Sequence, residues 1–279
     1  MGGALLDHAH DVHSQFGEDG VLAELLRRLG IERGWCCEFG AYDGVHLSNT
    51  RLLLEQGWGG LLIEGEPGRF VHLQNSIADL DGVTGLNRMV GFTAPDDLDT
   101  ILDQAGAPEE PDLLSIDIDG NDYHVWAALE RHRPKVVVVE FNPTFPNWVE
   151  FVQPADMSLQ QGSSIASLVE LGKRKGYEAA AVTDINGIFV REDLFERLGV
   201  EDNRLETLRT HHNRETALCT LYDGTIVLRG HMTGPWNSIE LSERRVQVLP
   251  RPLRVFTPGA TPRQRRLQRA WAWWYRHRP

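Results

Sequence analysis

Leu113-Leu114-Ser115-Ile116-Asp117-Ile118-Asp119, a helical stretch over 123–131, and then Lys135-Val136-Val137-Val138-Val139-Glu140-Phe141 decide the fold of this 279-residue chain. Both runs are apolar at consecutive rather than alternate positions. Such strands are covered on both faces, as the inner strands of a parallel sheet are. A helix between two of them makes a βαβ unit. Toward the N-terminus the rhythm repeats: a helical stretch at 19–29 closed by Gly30, a strand at Trp35-Cys36-Cys37-Glu38-Phe39, and a helix at 47–56 stopped by Gly57. A strand at Leu61-Leu62-Ile63-Glu64 and a helix at 69–80 follow. A third strand then falls within 83–92, and a helix starts at Pro95-Asp96-Asp97. Beyond the valines, a helix at 165–175 and a strand at 177–183 lead through Asn186-Gly187 into Ile188-Phe189-Val190, a hairpin that closes the sheet. The expected fold is therefore α/β: a doubly wound, Rossmann-like, mostly parallel sheet.

The organisation expected is a domain over 1–200 and an extension over 201–279. Residues 1–30 form an N-terminal helical segment. Residues 143–163, with Pro143, Pro146 and Pro154, form a lid-like loop. The extension holds a second hairpin around Asp223-Gly224 and a tail in which Trp271, Trp273, Trp274 and Tyr275 stand among arginines. Net charge is −12, but residues 251–279 contain eight arginines and no acid, which leaves −20 on the first 250. An acidic body repels nucleic-acid backbones, so a general nucleic-acid binder is disfavoured. No apolar run approaches the ~18–20 residues of a membrane span. Three cysteines form neither a disulfide framework nor a zinc site. With no secretory signal at the start, the expected setting is a reducing cytoplasm.

In a doubly wound sheet, ligands bind beyond the carboxyl ends of the strands. The first such end carries Glu38-Phe39-Gly40-Ala41-Tyr42-Asp43-Gly44. Its glycine spacing is not the G-x-G-x-x-G of a dinucleotide site, and its acids would repel a pyrophosphate, which disfavours a nicotinamide dehydrogenase. The turn suits a cationic or neutral nucleoside. Glu64, at the second strand end, is placed to accept hydrogen bonds from a ribose, with Glu66 a weaker alternative. Strand alternation puts Asp117 and Asp119 on one side of the sheet, and Glu140 and Asn142 likewise. Four oxygen ligands at neighbouring strand ends suit a hard cation, Mg²⁺ or Mn²⁺. His124, just past the acidic turn, is the candidate general base, with a helix-surface histidine the bland alternative. His8, His10 and His13 read as a polar N-terminus rather than a metal cluster.

Taken together, these motifs resemble the FkbM-like S-adenosylmethionine-dependent methyltransferases. The matching pieces are Ser14-Gln15-Phe16-Gly17-Glu18-Asp19-Gly20, the turn at 38–44, Ser48-Asn49-Thr50, Gly57-Trp58-Gly59-Gly60-Leu61-Leu62-Ile63-Glu64, Ser115 through Tyr123, Val139-Glu140-Phe141-Asn142 and Gly176-Tyr177. The resemblance implies the class I methyltransferase sheet of seven strands, one antiparallel. It also implies a cofactor site drawn from Gln15, Glu38, Gly40, Ala41, Asp43, Gly44, Asn49, Glu64 and Asp117. The family pattern at strand four is Lys-Ile-Asp-Val-Glu-Gly; Ser115 and Asp119 stand in place of its Lys and Glu. The ends of strands four and five are instead similar to those of magnesium-dependent O-methyltransferases. The expected activity is O-methylation of a hydroxyl on a small molecule or sugar-containing natural product. Asp119 and His124 are the catalytic candidates, and Asp117, Asp119, Glu140 and Asn142 the metal ligands. The alternative is a catalytically silent methyltransferase-fold module that binds a partner through the Arg/Trp tail. Docking of that tail on the acidic body is the first reading of it, ahead of an anionic surface or RNA. A homodimer is left open.

Overall fold

The computed structural model describes residues 4–278. These form two compact units, one ending at His211 and one beginning at His212. The first unit holds β1 (Trp35–Phe39), β2 (Gly59–Glu64), β3 (Val83–Asn87), β4 (Leu113–Ile116), β5 (Val136–Glu140), β6 (Tyr177–Val182) and β7 (Asn186–Arg191) in one sheet. The strand order is β3-β2-β1-β4-β5-β7-β6, and only β7 runs against its neighbours. This is the doubly wound, mostly parallel sheet expected from the sequence, with the seven strands, one antiparallel, that the resemblance implies. Strand order reverses between β1 and β4, which makes their carboxyl ends the switch point where such sheets bind ligands.

Alternate residues of each strand enter different cores. Cys36, Leu62, Val136 and Val138 pack beneath α1 (Glu18–Leu29), α2 (Arg51–Glu55) and α3 (Pro67–Ser76). Cys37, Ile63, Val137 and Val139 pack beneath α4 (Leu98–Ala105), α5 (Asp122–Ala128) and α6 (Ile165–Arg174). The valine run is continuous because both of its faces are buried. Trp126 anchors the second core against Phe189 and Tyr177, with ring centroids 4.9 and 5.8 Å away.

Two elements are shorter than their periodicity suggests. The helix expected from residue 47 begins at Arg51, because Leu47 has a positive φ of 58° and Ser48, Asn49 and Thr50 are bonded to Glu38. β4 ends at Ile116, because Asp119 turns into the left-handed region (φ 56°) and the Ile118 and Gly120 N–H groups donate to Asp122. The helix expected from Pro95-Asp96-Asp97 starts at Leu98, with Asp97 as its cap. Of the expected N-terminal segment, residues 1–3 lie outside the described residues, and α1 begins at Glu18. His10 bonds the His8 carbonyl, while His8 and His13 face Glu24 and Glu55, so the three histidines go to separate partners.

The first unit runs past residue 200 through α7 (Glu192–Phe195) and α8 (Leu205–Leu208). Arg209 ties this stretch to the loop after β5, donating to the carbonyls of Pro143 and Phe145. The second unit contains the antiparallel hairpin of β8 (Thr216–Thr220) and β9 (Ile226–Gly230), then α9 (Glu243–Val246) and α10 (Pro262–His277). Among the described residues no helix is long and apolar enough to cross a membrane.

Candidate active site at the strand ends

Four strand ends converge at the switch point. Behind β1 the chain turns at Gly40 (φ 74°), where a Cβ would collide with the Asp117 carbonyl oxygen. Only glycine lets the exits of β1 and β4 lie this close. Glu38, the preceding acid, is buried. It accepts from the Ser48 hydroxyl (2.5 Å), the Thr50 hydroxyl (2.8 Å) and the Asn49 N–H (2.8 Å). Burial raises its pKa and these three donors pull the other way. Its work in this structure is to hold residues 48–50, and Asn49 in turn donates to the Ser115 hydroxyl on β4 (3.1 Å). Ala41 is buried in the core, and Gly44 closes the turn, its N–H bonded to the Ala41 carbonyl. Asp43 accepts from the Val45 and His46 N–H groups. Burial pushes its pKa up, but those donors outweigh it and hold the carboxyl below the usual range.

Glu64 ends β2 and is 5% exposed. One carboxylate oxygen accepts from the Tyr42 N–H (2.9 Å) and the other from the Glu66 N–H (2.7 Å), so it joins the turns behind β1 and β2. Each oxygen keeps a lone pair. Two remaining acceptor sites, on a buried carboxylate beside the exit of β1, could take the two hydroxyls of a ribose. Glu66 is otherwise employed, because its side chain caps α3 through the N–H groups of Gly68 and Arg69.

The other half of the site lies behind β4 and β5. Asp117, Asp119 and Glu140 each bring a carboxylate oxygen within 4.8 Å of the others. Asp117 and Asp119 meet through the turn after β4 rather than through strand alternation. Asp122 holds that turn from within, accepting the Ile118 and Gly120 N–H groups at 2.9 Å each. Burial, followed by repulsion from Asp122, Asp119 and Glu38, pushes Asp117 up to about 8. Glu140 lies well above the carboxylate range through burial and then Asp117, and burial pushes Asp122 up to about 6. Such a group binds a proton at neutral pH unless a cation stands among its oxygens.

Asn142, the fourth ligand expected from the sequence, has its side chain engaged by the loop that follows. Its amide donates to the Gln161 carbonyl (2.7 Å) and its oxygen accepts from the Thr144 N–H and hydroxyl. β5 has already ended at Glu140, two residues earlier, and the Phe141 N–H bonds the Ile185 carbonyl, so strand alternation does not reach Asn142.

His124 is half-buried between the rings of Phe92 and Tyr123. Its Nε2 lies 2.8 Å from the Gln153 carbonyl oxygen. That oxygen only accepts, so Nε2 carries the proton and Nδ1 the lone pair. Gln153 itself is 1% exposed and braces the loop: its side-chain oxygen accepts from the Gln161 and Gly162 N–H groups, and its amide donates to the Leu159 carbonyl. Asn121 adds bonds to the Asp156 and Leu159 carbonyls. The expected lid is therefore tied at several points to the start of α5. Neither Gln153 nor Asp122 emerges as a site residue from the sequence; the only signal was an extra acid in the 117–122 run.

Gln15 is exposed, while the acids of its motif point inward. One Asp19 oxygen accepts from the N–H groups of Val12, His13 and Ser14, and Glu18 accepts from the Thr183 hydroxyl and the Asn186 amide. The motif thereby reaches Asn186, the cross-strand partner of Glu140.

Residues 97–178 match the model of the methyltransferase FkbM domain, a stretch that includes β4, the acidic turn, β5 and the loop. No curated protein matches the chain. Among solved structures, a Klebsiella pneumoniae protein provisionally described as an O-methyltransferase is 18% identical, with 68% of this chain and 91% of that one covered at a TM-score of 0.45. A Geobacter metallireducens precorrin-6y C5,15-methyltransferase is 17% identical, with 66% and 92% covered at 0.37. A SAM-dependent methyltransferase from Aquifex aeolicus is 10% identical, with 63% and 89% covered at 0.37. Likenesses this distant say nothing about substrate. By its motifs and by the match across its site-bearing strands, the chain is similar to the FkbM-like family of S-adenosylmethionine-dependent methyltransferases.

Proposed function

We propose that this protein transfers the methyl group of S-adenosylmethionine to a hydroxyl oxygen of a small molecule or sugar-containing natural product, with a divalent cation, Mg²⁺ or Mn²⁺, at the acceptor side. The observation that carries this reading is the gathering of Asp117, Asp119 and Glu140 within 4.8 Å beside the exit of β1. Asn186 supports it, since its buried Oδ1 has no hydrogen-bond partner among the described residues and its backbone pairs with Glu140.

On the cofactor side, Glu64 accepts the ribose hydroxyls, and the turn at 40–44 holds the methionine end. The cofactor supplies an electrophilic methyl on a sulfonium, so the chain has only to align the partners and exclude water. On the acceptor side, an alcohol must shed a proton to attack well. A divalent ion held by the three carboxylates would lower the pKa of a hydroxyl bound to it. His124 takes the released proton on Nδ1, the nitrogen left basic by the Nε2–H bond to Gln153. With its turn braced by Asp122, Asp119 is held where it can steer the acceptor.

Methyl transfer from labelled S-adenosylmethionine to a panel of sugar and phenolic hydroxyls, run with EDTA and then with added Mg²⁺, tests the proposal. Transfer abolished by chelator and restored by Mg²⁺ supports it. Undiminished transfer in EDTA removes the metal, and transfer to carbon or nitrogen acceptors alone removes the hydroxyl.

A further inference from the structure

We propose that α10 is a docking helix for an anionic lipid surface. The helix is preformed: Thr261 and Gln264 make a reciprocal capping box and Pro262 opens its first turn. One face is occupied within its own unit, where Trp271 donates to the Val248 carbonyl (3.0 Å) and Gln268 to the Leu253 carbonyl (2.8 Å). The rest of the circumference is open. There Trp273 is 61% exposed, Leu267 48% and Trp274 46%, and Arg263, Arg266 and Arg269 stand between them. None of these arginines has a carboxylate partner among the described residues.

The mixture selects the partner. Tryptophan prefers the boundary between headgroup and hydrocarbon, where its ring is buried and its N–H stays wet. Arginine supplies the attraction to acidic headgroups and lets its stem lie along the apolar layer. Leu267 and Ala270 add aliphatic surface, which hydrocarbon rewards and a nucleic-acid strand does not. Sixteen residues with so many arginines lie on a membrane rather than through it.

Flotation of the full chain with phosphatidylcholine vesicles, with and without phosphatidylglycerol, tests this. Binding to the phosphatidylglycerol vesicles only, weakened by salt, is expected. Arg266→Gln with Arg269→Gln should weaken it roughly fivefold per arginine. Trp273→Ser with Trp274→Ser should weaken it about tenfold or more and leave the salt dependence in place. Circular dichroism confirms that each variant keeps its helix. If phosphatidylglycerol vesicles do not float the protein, if a single-stranded RNA binds more tightly than they do, or if loss of α10 instead dissolves a dimer, the proposal is overturned.

Discussion

Two pairs of acids at the strand ends sit in opposite electrostatic surroundings. Behind β1 and β2, Asp43 and Glu64 each rest on two backbone N–H groups, and Asp43 stays ionised below its ordinary range. Behind β4 and β5, Asp117 and Glu140 face other carboxylates and are driven upward. An anion satisfied by peptide donors is ready for a neutral or cationic nucleoside. An anion crowded by anions calls for a proton or a metal. In the function proposed above, the cofactor takes the first half and the cation with the acceptor hydroxyl the second.

The contrast is broken most severely at Glu64. Glu64→Ala removes two charge-assisted acceptor sites and leaves the Tyr42 and Glu66 N–H groups without partners, so S-adenosylmethionine affinity should fall roughly a hundredfold or more. Calorimetry reads the loss directly, and unchanged affinity would place the ribose elsewhere. Asp117→Asn should then abolish Mg²⁺ binding while sparing S-adenosylhomocysteine affinity to within a few-fold. Equal loss of both would mean the halves are one site.

The pH dependence of stability sharpens the same comparison. Asp43 has a lowered pKa, so its contribution is present at neutral pH and lost as pH falls. Asp117 is raised, so its contribution is complete below its unfolded value of about 4 and lost as pH rises through about 8. In chelator, the melting temperature should therefore decline between those values, and Asp117→Asn should flatten the decline. A smaller effect is expected at the loop. Gln153→Ala frees the Gln161 and Gly162 N–H groups and loosens the carbonyl that orients His124. That should cost about tenfold in kcat and shift the acidic limb of its pH profile, where a general base gains activity on losing its proton, leaving cofactor Kd unchanged. A change in melting temperature without the pH shift would make Gln153 a brace for the loop alone.

The alternation of strands and helices and both hairpins were legible in the sequence because runs such as Val136 to Val139 and Leu61 to Ile63 encode burial locally. The first reversal, however, falls at 183–185, and Asn186 and Gly187, expected in the turn, open β7. Glu64 and the Gly40 turn were legible because the sheet fixes where strand ends go. What escaped was set by contacts distant in sequence. α2 starts late because Glu38 holds Ser48, Asn49 and Thr50. The Asn142 side chain is taken up by Gln161 and Thr144 because β5 ends at Glu140 and the loop folds back on it. Gln153 carries no local pattern, since its importance depends on how residues 153–162 fold back onto α5.

The central claim is that the switch point holds S-adenosylmethionine through Glu64. Calorimetric titration of the purified, ligand-free protein with S-adenosylmethionine, S-adenosylhomocysteine and NAD⁺ addresses it directly. Affinity on the order of micromolar for both S-adenosyl ligands, none for NAD⁺, and loss in Glu64→Ala is the expected result. A folded protein that binds neither S-adenosyl ligand would contradict it and leave the sheet a binding scaffold without this chemistry.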